Sequence, residues 1–443
     1  MGASQGVRRL GLATVVMIIV ANMVGVGVFT SAGWALGTLG DPKWVLGLWL
    51  VGGVIAVLGA LCYGALARHF QESGGEYLFL ARTMHPAVGF LAGWVSLWAG
   101  FSAPIAVSAL GMSAYLGFDS EQQWFATNAV ATAAILVAGL LHGLRLGPGV
   151  HGQNLAVGIK LVVLTGFIVF AFTQIGWTSV AAAEPVERSF GWTDLAVQLM
   201  FVSFAYSGWN AAVYVAGEVR DPARNLPRAL FRGALTVTVL YLLLNTIFVY
   251  SAPVAQLENR NDIAAVAANA LGGASLEQGA RALVALALFT SVSSMVMIGP
   301  RVYAKMSSDG VFPALFARGQ EVPRSAVWLQ CALAVILVWV AGLKDYLGYV
   351  GFTLGLSTAA AVVGLMLVRQ RHGPDKVPVP GYPWVPLAFV GATLGIAAMT
   401  LQSGQSEFYA GLVTVGVGAV VYFLWARRNR GQFPTDPLDG ART

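Results

Sequence analysis

Two interrupted apolar runs and one lysine in a third are the features of this sequence that could bind a small ligand. Gly25-Val26-Gly27 lies near the middle of the apolar run 10–37, and Ser207-Gly208 lies near the middle of the run 191–217. Glycine disfavours a helix interior by about 1 kcal/mol relative to alanine, so each run is predicted to break there. Lys160 lies within a third apolar run. The chemistry on offer is ligand binding by backbone groups and one ammonium.

A helix broken in mid-membrane frees backbone groups that lipid cannot satisfy, so these groups must face a cavity or a ligand. The second half-helix begins with free N–H groups and about half a positive charge, and the first half ends with carbonyls of opposite partial charge. A zwitterionic α-amino acid matches this pair. We expect its carboxylate at the amides of Gly25, Val26 and Gly27. The predicted amine ligands are the carbonyls of Met23, Phe204, Ala205 and Ser207.

Catalytic or metal chemistry is not indicated. The histidines are near predicted loops and share no metal-ligand spacing, and Cys62 and Cys331 fall inside apolar runs, where cysteine is usually a small core residue. We therefore predict no catalytic residues, no metal, no cofactor and no enzymatic function. The histidines are His69, His85, His142, His151 and His372.

The composition places most of the chain in lipid. Of 443 residues, 57% are apolar and 10% are charged, whereas soluble domains carry about 25% charged residues. A bilayer-spanning helix needs about 20 apolar residues, and scanning at that length predicts an all-α membrane protein with twelve transmembrane helices. The predicted spans are 10–37, 44–66, 86–117, 124–142, 151–176, 191–217, 229–251, 277–306, 324–343, 345–369, 382–402 and 408–426.

The net charge of +6 is explained by membrane topology, so nucleic acid is not an expected partner. Alternate loops contain 20 and 5 of the 26 Lys and Arg residues, and Lys160 is the remaining one. Since cytoplasmic loops are rich in Lys and Arg, we predict that both termini are cytoplasmic. The basic set is Arg8, Arg9, Arg68, Arg82, Arg145, Arg220, Arg224, Arg228, Arg232, Arg301, Lys305, Arg318, Arg324, Arg369, Arg371, Lys376, Arg427, Arg428, Arg430 and Arg442.

The two breaks fall in spans one and six. An offset of five spans makes the two helices antiparallel, and interrupted helices at matching positions of inverted repeats mark the midplane site of a secondary transporter. We assign residues 1–370 to the transport core, with repeat one at about 10–176 and repeat two at about 191–369. Residues 371–443 form helices 11 and 12 and a cytoplasmic tail.

Four stretches resemble the amino acid–polyamine–organocation (APC) superfamily, and within it the L-type amino acid transporters and their bacterial homologues. They are NMVGVGVFTSAG (22–33), ESGGEYLFLARTMHPAVGFLAGW (72–94), FAYSGWNAAVYVAGEVRDPARNLPRAL (204–230) and RVYAKMSSDGVFP (301–313). The resemblance covers roughly the first 370 residues and implies a leucine-transporter-type 5+5 inverted repeat with helices 1 and 6 broken, plus two C-terminal helices. It also implies alternating access around those two helices.

The resemblance assigns roles to individual residues. Phe204 is similar to an aromatic gate above the substrate, and Trp209 and Asn210 are similar to residues beside the pocket. Val26 departs from the family pattern, which often has Ser or Thr at this position. We therefore expect carboxylate binding to depend on backbone amides alone.

Lys160 resembles the lysine that occupies the space of a sodium ion between helices 1 and 8 in sodium-independent members. We expect Ser291, Ser293 and Ser294 of span 8 to surround it. If the ammonium releases a proton during the cycle, the protein is a proton symporter; if it stays charged, it is a fixed strut and the protein is an exchanger. A lysine that extends to the membrane interface is the structural alternative.

Side chains expected in the pocket are small, polar or aromatic: Ser102, Ser207, Asn210, Ser291 and Phe204. Neither an acidic nor a basic partner for a charged substrate is evident at the midplane. The predicted function is therefore sodium-independent transport of small neutral L-amino acids. The alternatives are a transporter of cationic amino acids, polyamines or other amines, or a non-transporting amino-acid sensor.

The remaining expectations concern the membrane and other proteins. In eukaryotic L-type relatives a cysteine between helices 3 and 4 joins an accessory glycoprotein, but residues 115–124 contain no cysteine. We therefore expect no disulfide-linked accessory subunit and a monomer or weak homo-oligomer, surrounded by lipid in the bacterial cytoplasmic (inner) membrane. Arg220, Arg224, Arg228 and Arg232 recur every four residues, and we expect them to anchor the inner interface and to pair with Glu218 or Asp221.

Overall fold

A computed structural model describes residues 10–118, 121–143, 149–175, 184–316, 324–340 and 342–426. These residues form helices without a β-strand, and one isolated parallel bridge joins Leu10 to Val219. The all-α prediction is confirmed for this part of the chain. Residues 1–9 and 427–443, on which the predicted position of the termini depends, lie outside it.

The N-terminal half contains eight α-helices. The third and fifth begin at prolines, with the side chains of Asp41 and His85 accepting from the backbone N–H two residues on, which satisfies groups left free at helix starts. The helices are α1 Leu12–Met23, α2 Val26–Leu39, α3 Pro42–His69, α4 Gly75–Thr83, α5 Pro86–Val95, α6 Ala103–Tyr115, α7 Trp124–Gly143 and α8 Gly149–Gln174.

The C-terminal half contains nine more. A 3₁₀ segment, Ala211–Glu218, follows the first of them closely. The helices are α9 Trp192–Tyr206, α10 Pro222–Tyr250, α11 Val254–Leu257, α12 Ile263–Ile298, α13 Pro300–Ser308, α14 Arg324–Val338, α15 Leu343–His372, α16 Trp384–Leu401 and α17 Ser406–Val421.

The apolar helices agree with the predicted spans. Within the described residues, ten helical segments are long and apolar enough to cross a membrane, and α1 with α2, bent by 41° at their junction, forms an eleventh. The predicted span 324–343 corresponds to α14, which has 15 helical residues, fewer than the roughly 20 that a bilayer requires. The twelfth span therefore stays a prediction.

Two further irregularities shape the bundle. A π-helical segment, Ser96–Ser102, joins α5 to α6 just before Pro104, which lacks the N–H that would continue regular helical bonding. Helix α12 begins at Ile263, earlier than the predicted start at 277, and contains non-helical backbone at Gly272 and Gly273. The sequence therefore identified the span but not its N-terminal extension.

Packing brings the two interrupted helices to the centre. Helix α2 contacts α9, and α1 contacts α8, α10, α12 and the 3₁₀ segment. Val24 and Ala205, beside the two breaks, are buried, and Gly25, Ser207 and Gly208 are partly buried. The breaks therefore face one another inside a shell formed by the surrounding helices.

Candidate functional site

The first break separates α1 from α2. Helix α1 ends at Met23, Val24 has φ −73° and ψ 85°, and Gly25 is extended. Helix α2 then starts at Val26 without a side-chain hydrogen bond to cap it. Its first N–H groups lack intrahelical partners, as at every helix start, and so form a binding surface for an anionic group.

The second break separates α9 from the 3₁₀ segment. Helix α9 ends at Tyr206, and Gly208 has a φ of 92°, a conformation that non-glycine residues rarely adopt. A β-carbon on Gly208 would also lie 3.0 Å from the backbone of Asn22. Glycine is required here by its backbone conformation and by its close approach to α1.

Gly27 is the point at which the two interrupted helices touch. A β-carbon at this position would lie 2.6 Å from the Cβ and 2.7 Å from the Cα of Ala205. At Gly25 the nearest atom would be the Met23 carbonyl oxygen at 3.7 Å. Gly27 is therefore required for helix packing, whereas Gly25 is not.

A central cavity of about 50 Å³ lies between the two breaks. No Lys, Arg, Asp or Glu from the described ranges lines it. Its walls come from both breaks, from the π-helical connection and α6, and from single residues of α12 and α15. The lining residues are Asn22, Met23, Gly25, Val26, Gly27, Gly100, Phe101, Pro104, Ser108, Phe204, Ala205, Ser207, Gly208, Asn210, Ala211, Tyr214, Met295 and Leu354.

Most of the residues predicted to bind the substrate or to form its pocket meet at this cavity, but three of them do not line it. Ser102 is buried in the π-helical segment, and its Oγ has no hydrogen-bond partner. Trp209 points to the other side of the break, where its ring packs against Tyr63 at 4.7 Å between centroids. Ser291 lies behind the first break. The residues that line the cavity as expected are Met23, Gly25, Val26, Gly27, Phe204, Ala205, Ser207 and Asn210.

Tyr241 of α10 lies at both breaks, but no motif in the sequence indicated it. Its hydroxyl lies 2.5 Å from the carbonyl oxygen of Met23 and 3.0 Å from that of Ala205, and can donate to either. The Phe204 carbonyl accepts from the N–H of Ser207 at 2.8 Å. Three of the four predicted amine ligands therefore already have a protein donor nearby, although each carbonyl oxygen has two lone pairs.

Lys160 is fully buried, and its Nζ donates to the carbonyl oxygen of Val24 at 3.2 Å. Ser291 Oγ is 2.8 Å from the same oxygen and 3.1 Å from that of Ala21. The ammonium and the hydroxyl of α12 thus converge on the end of α1. This geometry differs from that of a lysine reaching the membrane interface.

The other two predicted serines contact groups other than the Val24 carbonyl. Ser294 Oγ accepts from the Asn22 side chain at 2.9 Å, and Ser293 Oγ lies 2.8 Å from Nε2 of His142. Residues 291, 293 and 294 point in different directions because successive helical positions are rotated by about 100°. Only Ser291 shares an acceptor with Lys160.

Glu76 is a buried acid next to the cavity that the sequence left without a role. It is 2% exposed at the start of α4. It accepts hydrogen bonds from Tyr63 at 2.9 Å and from Asn210 and Tyr214 at 2.5 Å each. In the sequence, Glu76 is a charged residue directly after Gly74-Gly75. It lies within one of the four stretches that resemble the family, but outside the predicted spans.

Ion pairs join α13 to the 3₁₀ segment and to the loop before α4. Arg301 pairs with Glu218 at 2.6 Å. No ion pair within the described residues joins Glu218 to the arginines at 220–232, so that expected pairing was wrong. Glu72 lies 2.7 Å from Arg82 and 3.5 Å from Lys305. Partial burial acts to raise the pKa of Glu72, but the hydrogen bond and charge of Arg82, with Lys305, lower it overall.

Metal binding and disulfide bonding find no support in the described ranges. They contain no group of three or more His, Cys, Asp or Glu residues that could hold a metal ion. Cys62 and Cys331 are buried and free, as their apolar surroundings predicted. The arrangement suits reversible binding of a small zwitterion.

Comparison with known proteins yields matches along almost the whole chain. The family model described as "Amino acid permease" matches residues 10–423. The chain is 25% identical to mouse Asc-type amino acid transporter 1 over 94% of its length and 81% of that protein. For human large neutral amino acids transporter small subunit 2 the values are 27%, 94% and 80%, and for human cystine/glutamate transporter 26%, 96% and 87%. These proteins are named as transporters, and the resemblance seen in the sequence is confirmed.

Proposed function

This chain belongs to the amino acid permease family, and from that premise we propose that it is a sodium-independent secondary transporter of small neutral L-amino acids. It works by alternating access, as an exchanger or a proton-coupled symporter. The substrate carboxylate binds the N–H groups of Gly25, Val26 and Gly27. The ammonium binds carbonyls of the two breaks, chosen from those of Met23, Phe204, Ala205 and Ser207.

The main support for this proposal is the cavity that the two helix breaks share. No charged side chain of the described residues lines this cavity. Backbone N–H groups at a helix start favour an anionic group, and carbonyls at a helix end favour a cationic one. Both partial charges together suit the constant part of an α-amino acid. The small cavity volume of about 50 Å³ favours small side chains.

Transport of cationic amino acids or other amines is the second candidate, because Glu76 is a buried carboxyl one hydrogen bond away from the cavity. We place it second because Tyr63, Asn210 and Tyr214 surround the carboxyl and it does not line the cavity. An amine would have to displace these donors. A sensor that binds without transporting would share the same site.

Lys160 takes the role of a tethered cation in this proposal. A monovalent cation bound to the Val24 carbonyl would hold the end of α1 against α12, and the ammonium of Lys160 makes that contact from α8. Ser291 supplies the bond from α12. Transport without sodium follows because the cation is part of the chain.

The wider architecture in the proposal has twelve spans, with residues 1–370 as a 5+5 inverted-repeat core in which Phe204 is the gate. Both termini are cytoplasmic, and the membrane is the bacterial inner membrane. The chain acts without a disulfide-linked subunit, as a monomer or weak homo-oligomer; one relative is named a small subunit, but residues 115–124 contain no cysteine.

Counterflow in proteoliposomes tests the proposal. Purified protein is reconstituted into vesicles loaded with one neutral, cationic or acidic amino acid, and uptake of the labelled compound is followed with and without sodium. We expect saturable, stereoselective uptake of a small neutral L-amino acid that is independent of sodium. Uptake restricted to cationic compounds would favour the second candidate, and binding without uptake would indicate a sensor.

A further inference from the structure

The carboxyl group of Glu76 accepts three hydrogen bonds from neutral side chains in three parts of the fold. Tyr63 belongs to α3, while Asn210 and Tyr214 belong to the break and the 3₁₀ segment that follows it. No ion pair within the described ranges includes Glu76. A buried carboxylate without a cationic partner is stabilised by hydrogen bonds from such donors. Each of these three contacts uses a carboxyl oxygen of Glu76 as the acceptor.

This arrangement determines how the side-chain amide of Asn210 is oriented. An amide nitrogen only donates hydrogen bonds, and an ionised carboxylate only accepts them. The reverse orientation would place the amide oxygen of Asn210 against a carboxylate oxygen, with no hydrogen between them. Glu76 Oε1 accepts from both Nδ2 of Asn210 and the Tyr63 hydroxyl. The carboxyl group of Glu76 therefore keeps Nδ2 on its own side and Oδ1 on the other.

Oδ1 of Asn210 has no hydrogen-bond partner in the part of the chain that the structure describes, although Asn210 is 9% exposed. Asn210 lines the central cavity. Oδ1 is not fully enclosed by the protein, so this acceptor is open to a donor in a cavity. A ligand in the cavity that donates a hydrogen bond would supply the missing partner.

We propose that Glu76 is a positioning residue for specificity, which holds Asn210 so that Oδ1 accepts a hydrogen bond from the side-chain hydroxyl of a serine-type amino acid. The inference rests on the proposed function and narrows its substrate class. The ammonium of the substrate is common to all amino acids, so a contact with it would not discriminate among them. A contact with the side-chain hydroxyl would discriminate among them.

Side chains of matched size test this assignment. L-Serine and L-2-aminobutyrate differ by a hydroxyl in place of a methyl, and kcat/KM for each is obtained from initial uptake into proteoliposomes. We expect the wild-type protein to prefer L-serine about tenfold, the effect of one hydrogen bond to an otherwise unpaired acceptor. O-Methyl-L-serine, which has no hydroxyl hydrogen, should lose this advantage.

The variant E76Q separates positioning from other effects. Its carboxamide can donate as well as accept, so Asn210 can turn either way, and the preference for L-serine should fall at least threefold. Y63F removes one donor to Glu76 but keeps its carboxyl group, and should retain the preference. An unchanged ratio in E76Q would overturn the inference.

The wild-type series decides the matter even if E76Q does not fold. Equal kcat/KM for L-serine, L-2-aminobutyrate and O-methyl-L-serine would show that no acceptor reads the side chain, and would overturn this inference while leaving amino-acid transport intact. Absence of uptake for every amino acid would instead overturn the proposed function and this inference with it.

Discussion

Replacing Lys160 with methionine removes an ammonium from the end of α1 while keeping most of the side-chain volume. The Nζ of Lys160 and the Oγ of Ser291 lie 3.2 and 2.8 Å from the Val24 carbonyl oxygen. A hydrogen bond with a charged donor contributes about 1.5–3 kcal/mol, against about 0.5–1.5 kcal/mol for a neutral one. Loss of the charged bond should shift the equilibrium between transport conformations roughly 10- to 150-fold.

Sodium-free counterflow measures this loss as an initial rate for wild type, Lys160→Met, Ser291→Ala and the double variant. We expect Lys160→Met to transport at least tenfold more slowly than wild type. The transport rate of Ser291→Ala should fall by a smaller factor. Because both donors use the carbonyl of Val24, the double variant should differ from the sum of the single effects on a free-energy scale, by about 0.5 kcal/mol or more. Monodisperse elution of each variant in detergent controls for folding.

Two results would refute the reasoning. Wild-type transport by Lys160→Met would show that the ammonium does not hold the end of α1 during the cycle. Strict additivity with Ser291→Ala would show that the two donors act on different steps, although they share the Val24 oxygen in the structure.

Three other perturbations have expected outcomes. Gly27→Ala should lower the melting temperature in detergent, since its Cβ would lie 2.6 Å from that of Ala205, while Gly25→Ala should not; equal melting temperatures would contradict this packing argument. Tyr241→Phe should slow uptake roughly 3- to 10-fold by removing the hydroxyl between the two breaks, and an unchanged rate would make that hydroxyl dispensable. Glu72→Gln should lower the melting temperature slightly at pH 7, because the Glu72 side chain is 52% exposed and an ion pair screened by solvent contributes at most about 1 kcal/mol. The depressed pKa of Glu72 means that its stabilisation is present above the ordinary carboxyl pKa and is lost as pH falls through the depressed value. The difference from wild type should therefore close progressively as the pH is lowered below the ordinary carboxyl pKa; a constant difference would exclude the ion pairs as its cause.

The sequence alone determined the membrane class, the positions of the apolar helices and the two breaks. Long apolar runs require lipid because there is too little charge to cover a water-exposed surface. Glycines in the middle of such runs weaken the helix locally, and both predicted breaks, at 25–27 and 207–208, lie at or beside the ends of helices in the structure. Lys160 was also identified, because a charge in an apolar run demands a partner.

Tertiary structure decided which side chains face the cavity. Trp209 is two residues from Ser207 but points toward Tyr63, and Ser102 is buried away from the cavity. Their orientations depend on the irregular backbone at the break and in the π-helical segment, which helical periodicity does not describe.

The partners of the breaks also came from distant positions. Tyr241 is 218 residues from Met23 in the sequence, and Glu76 is 134 residues from Asn210. A break is a local property of the backbone, so composition reveals it. Convergence of a tyrosine and a carboxyl on that break depends on how separate helices rotate and pack against one another, and only the folded chain determines that.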